Sequence, residues 1–170
     1  MSINPDRAWF DNPGHEHARE PGEQGLRFEC TQCGNCCSGP PGYVLFTDDE
    51  ARALARRLDL SERDFLDRYT HQTPAGRSLR ERRTPHGHDC IFLDRTTVPG
   101  KAICAVYEQR PAQCRTWPFW PDNLRSPDHW HHATHTCPGI NQGTLYPPEH
   151  IRITRAQAIE DEKNTHPRTR

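Results

Sequence analysis

A chain of 170 residues fits one domain, and its formal net charge of −1 gives no global basic field for nucleic acid or an anionic membrane. No apolar run approaches the roughly 18 residues that cross a bilayer, so a soluble protein with no membrane partner is expected. Leu, Ile, Val and Phe together supply only 26 residues, below the roughly 20% level that usually accompanies disorder. The near-zero net charge does not suit a disordered chain, and a cross-linking metal is the natural substitute for the missing core.

Residues 1–25 are rich in Pro, Gly, His and charge, with Trp9 and Phe10 as the large apolar pair, and read as a flexible N-terminal arm. Residues 1–7 carry no apolar run, so no secretory signal is expected and the cytoplasm is the expected location. His15 and His17 alternate, a spacing open to metal ligation, but solvated polar residues are the commoner account of such a pattern.

Leu26 and Phe28 lead into Cys30-Thr31-Gln32-Cys33-Gly34-Asn35-Cys36-Cys37, which packs four thiols into eight residues. A C-x-x-C step lets the backbone curl so that both sulfurs face one point. Two overlapping steps bring Cys30, Cys33 and Cys36 toward one centre, the spacing of iron–sulfur and zinc-thiolate sites. Gly34 suits a tight loop that needs a positive φ. Cys37 follows Cys36 without a spacer, and adjacent side chains do not easily reach one ion, so one of the pair serves a second metal or stays free. An even count of eight cysteines also fits a disulfide framework. Without an oxidising compartment, clustered thiols are more often metal ligands.

Beyond the turn at Ser38-Gly39-Pro40-Pro41-Gly42, Tyr43-Val44-Leu45-Phe46 predicts a short strand. Thr47-Asp48-Asp49-Glu50 is a capping box that opens a helix with Ala51, Leu54, Ala55 and Leu58 on one face. Ser61 caps a second helix whose apolar face is Phe65, Leu66 and Tyr69. Residues 70–88 are polar, carry Arg77, Arg80, Arg82 and Arg83, and read as a surface loop with a local basic patch. Stacking aromatics are missing from it, so nucleic acid is not the expected partner.

Residues 89–94 predict a second strand and 101–104 a third, joined as an antiparallel hairpin by the turn-rich segment between them. Cys90 and Cys104 then ride on neighbouring backbones. Pro111 suits the first turn of a short helix. That places Cys114 near the positive end of the helix dipole, which favours its thiolate. Trp117-Pro118-Phe119-Trp120-Pro121 is a rigid aromatic segment suited to shielding a metal centre from water. His131 and His135, four apart, share a face if helical and suit zinc, although exposed or core-satisfied histidines are the commoner outcome. Cys137-Pro138 matches the way some ferredoxin-type sites close their last corner. Residues 151–160 have helical composition, and 161–170 read as a frayed tail. The cysteine domain is therefore expected over 26–160.

The ordered set C-x-x-C-G-x-C-C, D-C-I-F-L, C-x-V-Y-E-x-R-P-x-x-C-R-x-W-P-F and C-P-G resembles the YkgJ-like cysteine-cluster family, described as chelating zinc or iron. The resemblance covers about Phe28 to Gly139 and takes in all eight cysteines in the family's order. The family also resembles the flagellin lysine N-methylases, whose cysteine cluster holds an iron–sulfur centre. The long additional region of a methylase is missing from this sequence, so that activity is not carried over.

These readings converge on an α+β fold: a small, irregular, metal-organised domain with short antiparallel strands and several short helices. The expected metal ligands are Cys30, Cys33, Cys36, Cys37, Cys90, Cys104, Cys114 and Cys137. Arg110 and Arg115 are expected to donate to the sulfurs and offset their charge. The overlapping triple favours an iron–sulfur cluster over zinc, and soft sulfur ligands exclude Mg²⁺ and Ca²⁺. A metal-binding protein is the first reading. A metal- or cluster-dependent enzyme acting on a protein or small molecule, or a metal-delivery protein, is the alternative. No Ser-His-Asp order, phosphate loop or nucleotide fingerprint is present, so catalysis stays undecided, and a protein partner is left open.

Overall fold

The computed structural model describes residues 8–165, and the chain is α+β. Among the described residues the regular elements are β1 (Leu26–Phe28), α1 (Asp48–Arg57), α2 (Glu62–Tyr69), β2 (Thr70–Thr73), β3 (Gly76–Leu79), β4 (Glu81–Thr84), β5 (Gly87–Cys90), β6 (Leu93–Asp94), β7 (Ile103–Cys104), α3 (Ala112–Arg115), α4 (Pro127–Ala133), β8 (Thr144–Tyr146) and α5 (Pro148–Thr165). Strands pair only in antiparallel twos: β1 with β8, β2 with β3, β4 with β5, and β6 with β7. The chain divides into two compact units, one of residues 1–31 with 118–156 and one of residues 32–117 with 157–170. The arm expected over 1–25 and the tail expected over 161–170 lie partly outside the described residues.

In the first unit, β1 and β8 join distant segments, Leu26 opposite Tyr146 and Phe28 opposite Thr144. Phe10, Leu26, Phe119, Leu124, Trp130, Ile140 and Ile151 are buried. Phe119 stacks flat on Trp130 at 5.8 Å and meets Tyr146 edge-on at 5.2 Å. The proline-flanked aromatic segment thus gives Phe119 to a packed core. Trp130 Nε1 donates to Asn141 Oδ1 at 2.8 Å, which satisfies the polar edge of a fully buried indole. Trp9 Nε1 donates to the Leu124 carbonyl, and buried Glu23 pairs with Arg27 at 2.6 Å.

The second unit is built on the capped helices. Thr47 accepts from the Glu50 N–H while the Glu50 carboxylate accepts from the Thr47 N–H, closing the capping box of α1. Ser61 caps α2 through the Asp64 N–H. Their inward faces put Ala51, Leu54, Ala55 and Phe65 into one cluster with Phe46, Leu79, Phe92 and Val106. Rings run through it as a ladder, Phe46–Phe65 at 6.1 Å, Phe65–Tyr69 at 6.0 Å and Tyr69–Phe92 at 5.2 Å. Each fully buried large side chain contributes roughly 1.5–3 kcal/mol, which makes this the main apolar asset of the unit.

Three expectations about elements are corrected. Residues 43–46 form no strand: Leu45 makes one isolated bridge to Ser78. Side chains take the remaining donors there, with Val44 N–H on Ser78 Oγ at 2.9 Å and Leu45 N–H on Gln113 Oε1 at 3.0 Å. The polar stretch 70–88 is two hairpins rather than a loop. Its arginines are largely turned to the chain itself, Arg77 on Thr70 Oγ1, Arg80 on the Asp67 carbonyl and Arg82 on the Leu93 carbonyl. The single strand expected over 89–94 is split by a turn at Ile91-Phe92, so Cys90 closes β5 opposite Glu81 while Cys104 in β7 faces Leu93.

Candidate metal centre

No disulfide joins any of the eight cysteines. In the second unit the segment 32–39 is strung between two hairpins. At one end Ala102 N–H donates to the Gln32 carbonyl at 2.8 Å. At the other, His88 N–H donates to the Gly39 carbonyl at 2.8 Å and Ser38 Oγ donates to Asp89. Between them Gly34 takes φ 78°, ψ 0°, and a single 3₁₀ turn carries Asn35–Cys37. A side chain at Gly34 would be strained at that φ, and its Cβ would stand 2.6 Å from Ala102 Cβ. The turn leaves the Cys36 and Cys37 sulfurs 3.7 Å apart.

Cys90 and Cys104 rest against the core cluster, and Cys114 projects from the one-turn α3. Burial pushes the Cys90 thiol up to about 11, and it pushes Cys104 up as well. Cys114 is pushed up furthest of these three, by burial first and then by the thiols of Cys90, Cys104 and Cys36. Cys36 is raised first by its neighbour Cys37 and then by burial. Cys36, Cys90 and Cys104 thus all act on Cys114, Cys36 acts on Cys104, and Cys104 acts on Cys90. This corrects the expectation for Cys114: a helix of four residues has too little dipole to offset desolvation, so its thiolate is disfavoured until a cation arrives. Pro111 also stands before the first turn, as the cap, rather than within it.

Arg110 and Arg95 act on different thiols of this unit, and Arg82 acts on Cys90. Arg110 stacks over the Tyr107 ring at 3.6 Å and pulls Cys36, Cys104 and Cys114 down against the burial effect. Arg115 pairs with Glu50 at 3.5 Å and donates to the Arg110 carbonyl. The sequence reading missed Arg95. Its guanidinium forks onto Asp89, Nε to Oδ2 at 2.9 Å and Nη2 to Oδ1 at 3.2 Å, and holds that buried carboxyl down at about 2. Cys33 and Cys37 act on Arg95 electrostatically. Only the fold could reveal it, because Arg95 sits in a turn segment with no cysteine spacing to mark it.

In the first unit, the backbone before Cys30 runs beside the backbone after Cys137: Phe28 bridges Ile140, and Glu29 N–H donates to the Gly139 carbonyl at 3.0 Å. Gly139 permits that approach, since a Cβ there would collide with the Glu29 carbonyl. Cys30 is exposed and Cys137 buried. The histidines in this unit are engaged with backbone and with each other. His15 Nε2 meets the Gly25 carbonyl, His17 Nε2 the Pro127 carbonyl, and the His17 ring stacks on His131.

Among the described residues no three His, Cys, Asp or Glu side chains are gathered closely enough to hold a metal ion as they stand. The donor chemistry of the second unit nevertheless fits one. Soft sulfurs are drawn from four separate segments, three of them have thiols raised first by burial, and Arg110 acts on three of the four while the Glu81 carboxylate acts on Cys90. A metal would supply the charge that makes those thiolates affordable.

The family model described as "CxxCxxCC: Putative zinc- or iron-chelating domain" matches residues 29–138, a span that contains every cysteine. An uncharacterized protein of Methanocaldococcus jannaschii is 31% identical over 97 residues, which are 56% of this chain and 46% of that protein. The chain thus spans about half the length of that curated relative. No solved structure matches the chain.

Proposed function

The chain belongs to the CxxCxxCC zinc- or iron-chelating family, and from that membership we propose that it is a metal-binding protein in which Cys36, Cys90, Cys104 and Cys114 hold one thiolate centre. The thiols of Cys90, Cys104 and Cys36 all act on the buried Cys114, and that carries the reading. Spacing alone would group Cys36 with Cys33 instead. Cys33 and Cys37, beside Arg95, and Cys30 and Cys137 in the other unit are the remaining ligands we propose. Arg110 offsets the charge of the four-thiol centre.

Iron in an iron–sulfur cluster is the favoured occupant. Four cysteine thiolates are the ligand set that such clusters take. Such a cluster supplies electron transfer or a structural cross-link. Zinc is the second reading, since four thiolates also make a tetrahedral zinc site.

Anaerobic purification with analysis for iron, zinc and acid-labile sulfide tests the choice. Iron with matching sulfide and visible absorbance supports the cluster, and zinc without sulfide supports the second reading. In either case Cys114→Ser is expected to lose the metal of the four-thiol centre. A Cys114→Ser protein with full metal content would sink the assignment.

A further inference from the structure

Arg95 is the cation that the cysteine spacing does not announce. Its side chain is 24% exposed, while its partner Asp89 is 1% exposed and anchored again by Ser38. A guanidinium carries five N–H donors. The fork onto Asp89 uses Nε and one hydrogen of Nη2, which leaves three. Both terminal nitrogens lie 3.3 Å from the point where a Cβ on Gly34 would sit, so these donors face the backbone loop between Cys33 and Cys37. Ser38, next to Cys37, binds the same carboxylate. The loop and the cation are therefore fixed to one buried anchor.

We infer that Arg95 is a positioning residue for the metal share carried by Cys33 and Cys37: it supplies fixed positive charge and N–H donors to those two thiolates, with Asp89 setting its place. The inference rests on the metal-binding reading above. It also divides the labour between cations, because Arg110 acts on Cys36, Cys104 and Cys114. A planar fork suits the task, since it can hold a carboxylate on one edge and present donors on the other. Removing Arg95 alone would strand a buried carboxylate, so the informative variant is R95Q/D89N, which removes both charges together.

The test uses the full chain loaded with zinc and follows alkylation of each cysteine by mass spectrometry. In the wild type, Cys33 and Cys37 are expected to be protected by the metal. In R95Q/D89N their protection is expected to fall about 10–100-fold, the usual loss when an outer partner of a metal ligand is removed. Cys90, Cys104 and Cys114 should keep their wild-type rates. R95K, which keeps charge but loses the fork, should fall between. Wild-type protection at Cys33 and Cys37 in the double variant would overturn the role. So would equal loss at all cysteines, which marks a general brace. Should the double variant not fold, R95K decides alone, and a wild-type rate in it overturns the proposal. A wild type whose cysteines are protected neither by zinc nor after reconstitution with iron and sulfide overturns the metal reading itself, and Arg95's role with it.

Discussion

At the scale of single residues, Cys36 and Cys37 share a peptide bond and stand 3.7 Å apart at their sulfurs, yet they reach different further partners. Cys36 acts on Cys104 and Cys114, whereas Cys37 acts on Arg95. The difference arises from the one 3₁₀ turn that begins at a left-handed Gly34. A second residue of unusual charge is Asp161, whose carboxyl is pushed up to about 6, by burial first and by Glu50 next. The folded protein thus holds this proton more tightly than the unfolded chain, whose aspartate releases it near 3.8. Its favourable contribution is complete below about pH 3.8 and disappears as pH rises through 6. Asp161→Asn is expected to unfold at a higher temperature than wild type at pH 7, with the gain vanishing below about pH 4. Equal melting at pH 7 would refute the shift.

At the scale of elements, the capping box was readable from Thr47 and Glu50 because its hydrogen bonds close within three residues. Glu50 also reaches out of its helix: Oε1 accepts from Ala112 N–H at 2.6 Å, at the start of α3. Thr47→Ala should cost about 1 kcal/mol, as lost caps do. Glu50→Ala should cost more, because it also strands the Ala112 donor. Denaturant unfolding of both variants checks the order. The hairpins over 70–88 were hidden by their polarity, since only Gly76, Ser78, Leu79 and Asp89 among their strand residues, with Thr70, are buried. A signal was present all the same. Thr73-Pro74-Ala75-Gly76 and Thr84-Pro85-His86-Gly87 repeat one T-P-x-G pattern. In each the threonine hydroxyl accepts from the residue two on and donates to the glycine carbonyl, while the glycine takes φ of 133° or 116°. Turn chemistry outweighed the lack of alternation.

At the scale of the whole chain, the apolar inventory is small and split between separate clusters, and no helix among the described residues is long and apolar enough to cross a membrane. Metal is expected to carry much of the stability. A contribution of about 5 kcal/mol raises the melting midpoint by on the order of 10–20 °C in a chain of this size. Chelation of the bound metal should lower the midpoint by that much, and calorimetry before and after chelation measures it. An unchanged midpoint would show that the thin core is sufficient alone.

The sequence by itself determined what is local or conferred by order: the α+β class, the caps of α1 and α2, and eight cysteines within the span of a metal-chelating family. Caps and short turns close within a few residues, so their geometry is written in adjacent letters. The company each thiol keeps was decided only by tertiary structure. Cys36 and Cys90 act on Cys114 from tens of residues away, and Cys90 and Cys104 rest on the cluster around Phe65 and Phe92. Arg95 reaches the Cys33–Cys37 loop because a buried aspartate holds it there. Such pairings depend on which faces are buried together, and a spacing rule in one dimension carries no information about that.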